Sequence, residues 1–136
     1  MEKDIRWHQR LENLQKALDR FQEALKGISQ EPKNHLYQIA LIGAFQFTFE
    51  LSWKTLKDFL VYSGVEVSLP RDVLKQAFHH GVVEEGQLWI DMLEDRNLMA
   101  HVYQEKAALV AVENIQKRYA PALLKNYQNL ASKRRA

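Results

Sequence analysis

Cysteine is absent from the chain, which excludes disulfides and thiolate metal sites. Proline and glycine are scarce, three and five in 136 residues, too few for the many turns of an all-β chain. No run is apolar enough to span a bilayer, and the opening Met1-Glu2-Lys3-Asp4 lacks the apolar core of a signal peptide, so a cytoplasmic address is expected. A strong charge of one sign is missing too. The formal net charge is +2, too small by itself to argue for nucleic acid, although the sequence pI of 8.8 does not oppose it. Lys133, Arg134 and Arg135 make the stretch from about residue 131 onward basic, and a frayed, solubilising end is expected there. There is no glycine-rich phosphate loop and no Gly-x-Ser-x-Gly nucleophile turn.

What is present reads as helix. Hydrophobic residues make up 46% and charged ones 26%, a globular composition, and the length fits one domain over residues 1–136 with no repeat or linker. Trp7, Leu11, Leu14, Leu18, Phe21, Leu25 and Ile28 step by fours and threes, which lays one apolar stripe along a first helix; Trp7 is expected to be partly exposed. A second helix is predicted from about Asn34 to Tyr62, stopping at Ser63-Gly64. It is apolar nearly all round between Leu36 and Trp53, which suits the centre of a bundle, or a bundle plus an oligomer interface. Pro70 suits a first helical turn, so Arg71 to His79 reads as a short helix closed near Gly81. Leu88, Trp89, Met92, Leu93 and Met99 predict a helix from Gly86 to about Ala100. A last helix runs from about Glu105 to Leu130, with Pro121 kinking or breaking it near Arg118. The expected architecture is all-α: an antiparallel bundle of four long helices and a short one.

Metal chemistry finds little support. His79 and His80 are adjacent and diverge by about 100° on a helix, so they do not share one ion side by side. Asp91, Glu94 and Asp95 share a helix face without a histidine one turn away and read as solvated carboxylates. No cofactor or metal is therefore expected.

One segment carries chemistry: Asp95-Arg96-Asn97-Leu98-Met99-Ala100-His101-Val102-Tyr103. On one continuous helix Arg96 and His101 would diverge by about 140°. A turn near Ala100 would bring the imidazole back toward the guanidinium, with Tyr103 at the same corner. Such a group suits a phosphodiester: Arg96 holds phosphoryl oxygens, His101 moves a proton near neutral pH, and Asn97 orients. The plain alternative is a histidine capping a helix end beside an arginine paired with Asp95 or Glu94. Glu50, on an otherwise apolar helix, needs a partner; it either orients Arg96 or bridges to Lys54 one turn on. Trp53 and Trp89 read as core or dimer-interface anchors.

The run Arg96-Asn97-Leu98-Met99-Ala100-His101-Val102-Tyr103 resembles the Arg-x4-His-x-Tyr signature of the HEPN superfamily. The run Phe49-Glu50-Leu51-Ser52-Trp53-Lys54-Thr55-Leu56-Lys57-Asp58 resembles the second-helix motif of one branch, the nucleotidyltransferase substrate-binding proteins. The resemblance spans roughly residues 5 to 130. It implies a helical homodimer that brings two such motifs to one cleft, metal-independent ribonuclease activity as a toxin, and a minimal nucleotidyltransferase partner as antitoxin. By the same resemblance Arg96 and His101 are catalytic, Asn97 supports them, and Tyr103 is a target for adenylylation, while Glu50 is the further supporting candidate that its place on the second helix offers. Its alternative is a non-catalytic substrate-binding subunit of a two-component nucleotidyltransferase.

Overall fold

In a computed structural model that describes residues 2–135, every regular element is helical. The elements are α1 (Glu2–Gln30), α2 (His35–Tyr62), α3 (Pro70–His79), α4 (Gly86–Asp95), α5 (Glu105–Asn114) and α6 (Ala120–Arg135). A 3-10 turn (Leu98–His101) joins α4 to α5, and a π-helical turn (Ile115–Tyr119) joins α5 to α6.

The helix ends follow from side-chain and glycine chemistry. Asn34 caps α2, its Oδ1 accepting from the amides of Leu36 and Tyr37 at 2.9 and 3.3 Å. At the far end Gly64 takes φ +94°, and two reversed bonds close the helix: Gly64 N–H to the Val61 carbonyl and Val65 N–H to the Leu60 carbonyl. Gly81 (φ +72°) ends α3 the same way, with Gly81 N–H bonded to Phe78 and Val82 N–H to Ala77. A residue with a Cβ is strained at either backbone angle.

α1 packs antiparallel along α2. Trp7, near the start of α1, meets Phe59 and Tyr62 at the end of α2, with ring centroids 5.1 and 6.1 Å apart. Trp7 is therefore buried, at 1% exposure, contrary to the partial exposure expected. Arg10 Nε and Asp58 Oδ2 clamp the same pair of helices at 3.0 Å, with Asp58 buried. The α5–α6 arm closes the core from the other side, where Phe45 stacks on Tyr119 at 5.3 Å, and Trp53 and Trp89 are both buried. α3 and α4 pack on each other, and α3 lies against α2.

Two further expectations are revised. α4 ends at Asp95 and not near Ala100, so α3 and α4 are both short, and the bundle has two long helices, two short ones and a long interrupted arm. Met99's side chain, assigned to that helix's stripe, lies outside the described residues. Pro121 interrupts the arm around Arg118, as expected, and the interruption takes the form of a π turn: Ala120 N–H reaches back to the Ile115 carbonyl just before the missing Pro121 donor. The basic end is not frayed, because α6 continues to Arg135, with Leu130 and Ala131 buried and Lys133 Nζ 5.7 Å from the Phe59 ring centre. Among the described residues no helix is long and apolar enough to cross a membrane.

Candidate functional site

The α4–α5 corner is built by backbone bonds that replace a continuous helix. Arg96 caps α4, its N–H bonded to the Leu93 carbonyl. The Asn97 carbonyl accepts from Ala100 at 3.1 Å, and the His101 carbonyl accepts from Gln104 at 3.0 Å, so the chain tightens to 3-10 before α5 begins. Divergence along one helix therefore does not govern Arg96 and His101.

α2 grips the arginine from across the bundle. Gln46 Nε2 donates to the Arg96 carbonyl. Glu50 Oε1 lies 3.6 Å from Arg96 Nη1, and Glu50 Oε2 accepts from Trp53 Nε1 at 2.9 Å. Gln46, Glu50 and Trp53 are spaced by four and three, so they share one face of α2. Glu50 thus reaches Arg96, while Lys54 sits 6.0 Å from the centre of the Trp53 ring. Both charged side chains stay about a third exposed, at 36% and 37%, so the pair directs the guanidinium more than it stabilises the fold. Gln46 escaped the sequence reading, although a polar residue four before Glu50 in an apolar run was its available signal.

The other candidates are on the surface. Arg96 and Asn97 line a shallow open groove with Leu69, Pro70 and Arg71 at the start of α3. His101 is exposed at the end of the 3-10 turn, and among the described residues its ring makes no hydrogen bond or ion pair. Tyr103 is 78% exposed, its hydroxyl accepting from Gln104 Nε2 at 3.3 Å. Within one chain, then, the structure brings Glu50, Arg96 and Asn97 together and leaves the imidazole and phenol outside their contacts.

The carboxylates on α4 are each occupied. Glu94 pairs with Arg71 at 3.7 Å, and Asp91 with Arg118 at 2.6 Å. Asp95 accepts from the Tyr119 hydroxyl. Hydrogen bonds from Gln87 and then Arg118 hold the Asp91 carboxyl below its ordinary range. Burial, reinforced by Asp95, pushes the Tyr119 hydroxyl well above the ordinary phenol value. The π turn thereby ties the last two turns of α4, next to Arg96, to the bundle. His79 and His80 meet edge to face at 5.3 Å on the surface.

The other exposed feature is apolar. Leu36, Ile39, Ala40 and Phe47 form a stripe along the outer face of α2 that runs into Glu50, and Leu109 and Val110 are exposed on α5, which packs against α2. Isolated exposed apolar residues are ordinary, but a contiguous run beside charged groups marks an interaction face.

Comparison with known proteins agrees with this architecture. The family model described as "Nucleotidyltransferase substrate binding protein like" matches residues 9–132. A crystal structure of a protein from Thermus thermophilus superposes with a TM-score of 0.64 at 25% identity, covering 85% of this chain and 99% of the other. No curated protein matches the sequence.

Proposed function

The chain belongs to the nucleotidyltransferase substrate-binding-protein-like family, a helical HEPN-like family, and from that premise we propose that it is a dimeric, metal-independent endoribonuclease toxin silenced by a minimal nucleotidyltransferase antitoxin. One observation carries the reading: a carboxylate from α2 aims Arg96 at an exposed corner that also presents an uncommitted imidazole, His101.

The chemistry asks for little more. The RNA 2′-hydroxyl attacks the adjacent phosphorus, its proton passes to a base, and the 5′-oxygen departs carrying a proton from an acid. His101 acts as that acid or base, and a second copy of the chain supplies the partner imidazole. Arg96 stabilises the charge that develops on the phosphoryl oxygens. Asn97 orients the phosphate, and Glu50 is a positioning residue acting through Arg96. The exposed α2 stripe supports a homodimer, because two copies joined there would set two Arg96–His101 corners along one cleft. Tyr103 is open to a modifying enzyme. Adenylylation there adds bulk and negative charge beside the phosphate path and repels RNA.

Expression without the partner should slow growth, and Arg96→Ala or His101→Ala should relieve it. Equal toxicity of wild type and both variants defeats the proposal. The lack of an Arg96–His101 contact within one chain favours a second reading, a non-catalytic subunit that presents substrate to the nucleotidyltransferase. Purified wild-type protein that binds the partner yet leaves RNA intact selects that reading.

A further inference from the structure

Along α2 the charges are gathered at one end. No charged residue stands from Leu36 to Phe49, and Glu50, Lys54, Lys57 and Asp58 then follow in quick succession. The two carboxylates are committed. Glu50 accepts from Trp53 Nε1 and faces Arg96, and Asp58 is buried against Arg10 at 3.0 Å. The two lysines are not: among the described residues neither ammonium reaches a carboxylate, and Lys54 Nζ lies over the Trp53 ring, 6.0 Å from its centre. By helical geometry both point within about 40° of Glu50, and they stand about 6 and about 10 Å further along the axis. Both side chains are half-buried. A lysine so placed lays its stem on the protein and keeps its ammonium in water. Like charges one turn apart on a helix repel, and an anion lying over both relieves that repulsion.

We propose that Lys54 and Lys57 hold the backbone of a single-stranded RNA that leaves the Arg96 corner and follows α2 toward Tyr62. The assignment rests on the reading of that corner as an RNA-cleaving site and adds the direction in which the strand runs. Arg96 stands beside Glu50, so the three cations extend over about 10 Å, the length of about three nucleotides of one strand. The outer face of α2 is thereby divided at Glu50. Before it the face is apolar, with Phe47 exposed, and suits a second copy of the chain; after it the face is cationic and suits a polyanion. An ammonium meets phosphate as a point charge and reads no base edge, so this track fixes the register of the strand and leaves its sequence free.

Fluorescence anisotropy of a labelled single-stranded RNA of about a dozen nucleotides, read from about 50 to about 200 mM salt, tests the track. The titrations use the His101→Ala protein, so that the RNA stays whole. The slope of log K against log salt should become shallower by about 0.7 in Lys54→Gln, by about 0.7 in Lys57→Gln and by about twice that in the double variant, one phosphate contact for each lysine. Lys57→Arg should keep the unsubstituted slope, and Lys16→Gln, at an exposed lysine of α1, should change nothing. A double variant with an unaltered slope, an equal loss in Lys16→Gln, or no RNA binding at about 100 μM protein in low salt overturns the proposal. So does a double variant that sediments at half the unsubstituted mass, because the lysines then hold the second copy and not RNA. Cleavage is scored apart, with His101 in place: RNA left intact there removes the ribonuclease reading, while the salt slopes alone decide the track.

Discussion

Replacing Tyr119 by phenylalanine isolates the contact through which the π turn holds the end of α4. The ring is fully buried and stacks on Phe45 at an interplanar angle of 20°, so phenylalanine keeps the packing and loses only the hydroxyl that donates to Asp95. A hydrogen bond to a charged group contributes about 1.5–3 kcal/mol. Asp95 is half-buried, so water can replace part of the lost donor, and the lower end, about 1.5 kcal/mol, is expected. For a domain of this size that lowers the melting temperature by about 4–6 °C. Urea unfolding of both proteins from pH 7 upward adds a sharper check. The folded state holds the Tyr119 proton more tightly than the unfolded state, whose phenol ionises near 10.0. The contribution is therefore complete below pH 10.0 and is lost as the pH rises above it. The four other tyrosines are common to both proteins, so the difference between wild type and Tyr119→Phe is the quantity to follow. It should be about 1.5 kcal/mol at neutral pH and shrink above pH 10.0. A difference under about 0.5 kcal/mol at pH 7, or one that stays constant through the alkaline range, refutes the contact.

Three further perturbations test neighbouring parts of the molecule. Glu50→Gln should lower the turnover of RNA cleavage about tenfold, with a melting temperature shift under about 2 °C, because the exposed pair aims Arg96 without anchoring the fold; an unchanged rate removes Glu50 from the site. Ile39→Glu with Phe47→Glu places two charges on the α2 stripe and should convert a dimer to a folded monomer in sedimentation, whereas an unaltered mass shows that copies do not associate there. Asp91 is held below 3.8, so its share of stability is complete above that value and disappears as the pH falls through its lower folded value; Arg118→Met should flatten this acid limb of a urea-midpoint series, and identical limbs refute the pairing.

Helix ends were legible wherever the stop signal is local. Asn34, Ser63-Gly64 and Gly81 each act through their own backbone and the next few residues, and the elements stop where those residues stand. The end of α4 was not, because the apolar spacing from Leu88 onward favours helix, while the Arg96 carbonyl is taken by Gln46, fifty positions away in sequence. The same holds for Glu50. Lys54 and Arg96 are both chemically suitable partners, and only the docking of the α4–α5 corner on α2 decides between them. Trp7 follows suit: its burial depends on an antiparallel run that carries it to Phe59 and Tyr62. The chemistry-bearing residues of the corner could be picked out because residue type limits which side chain handles a proton or a phosphoryl oxygen. Their arrangement could not, since it is set by contacts between helices and, in the proposed function, between two copies of the chain.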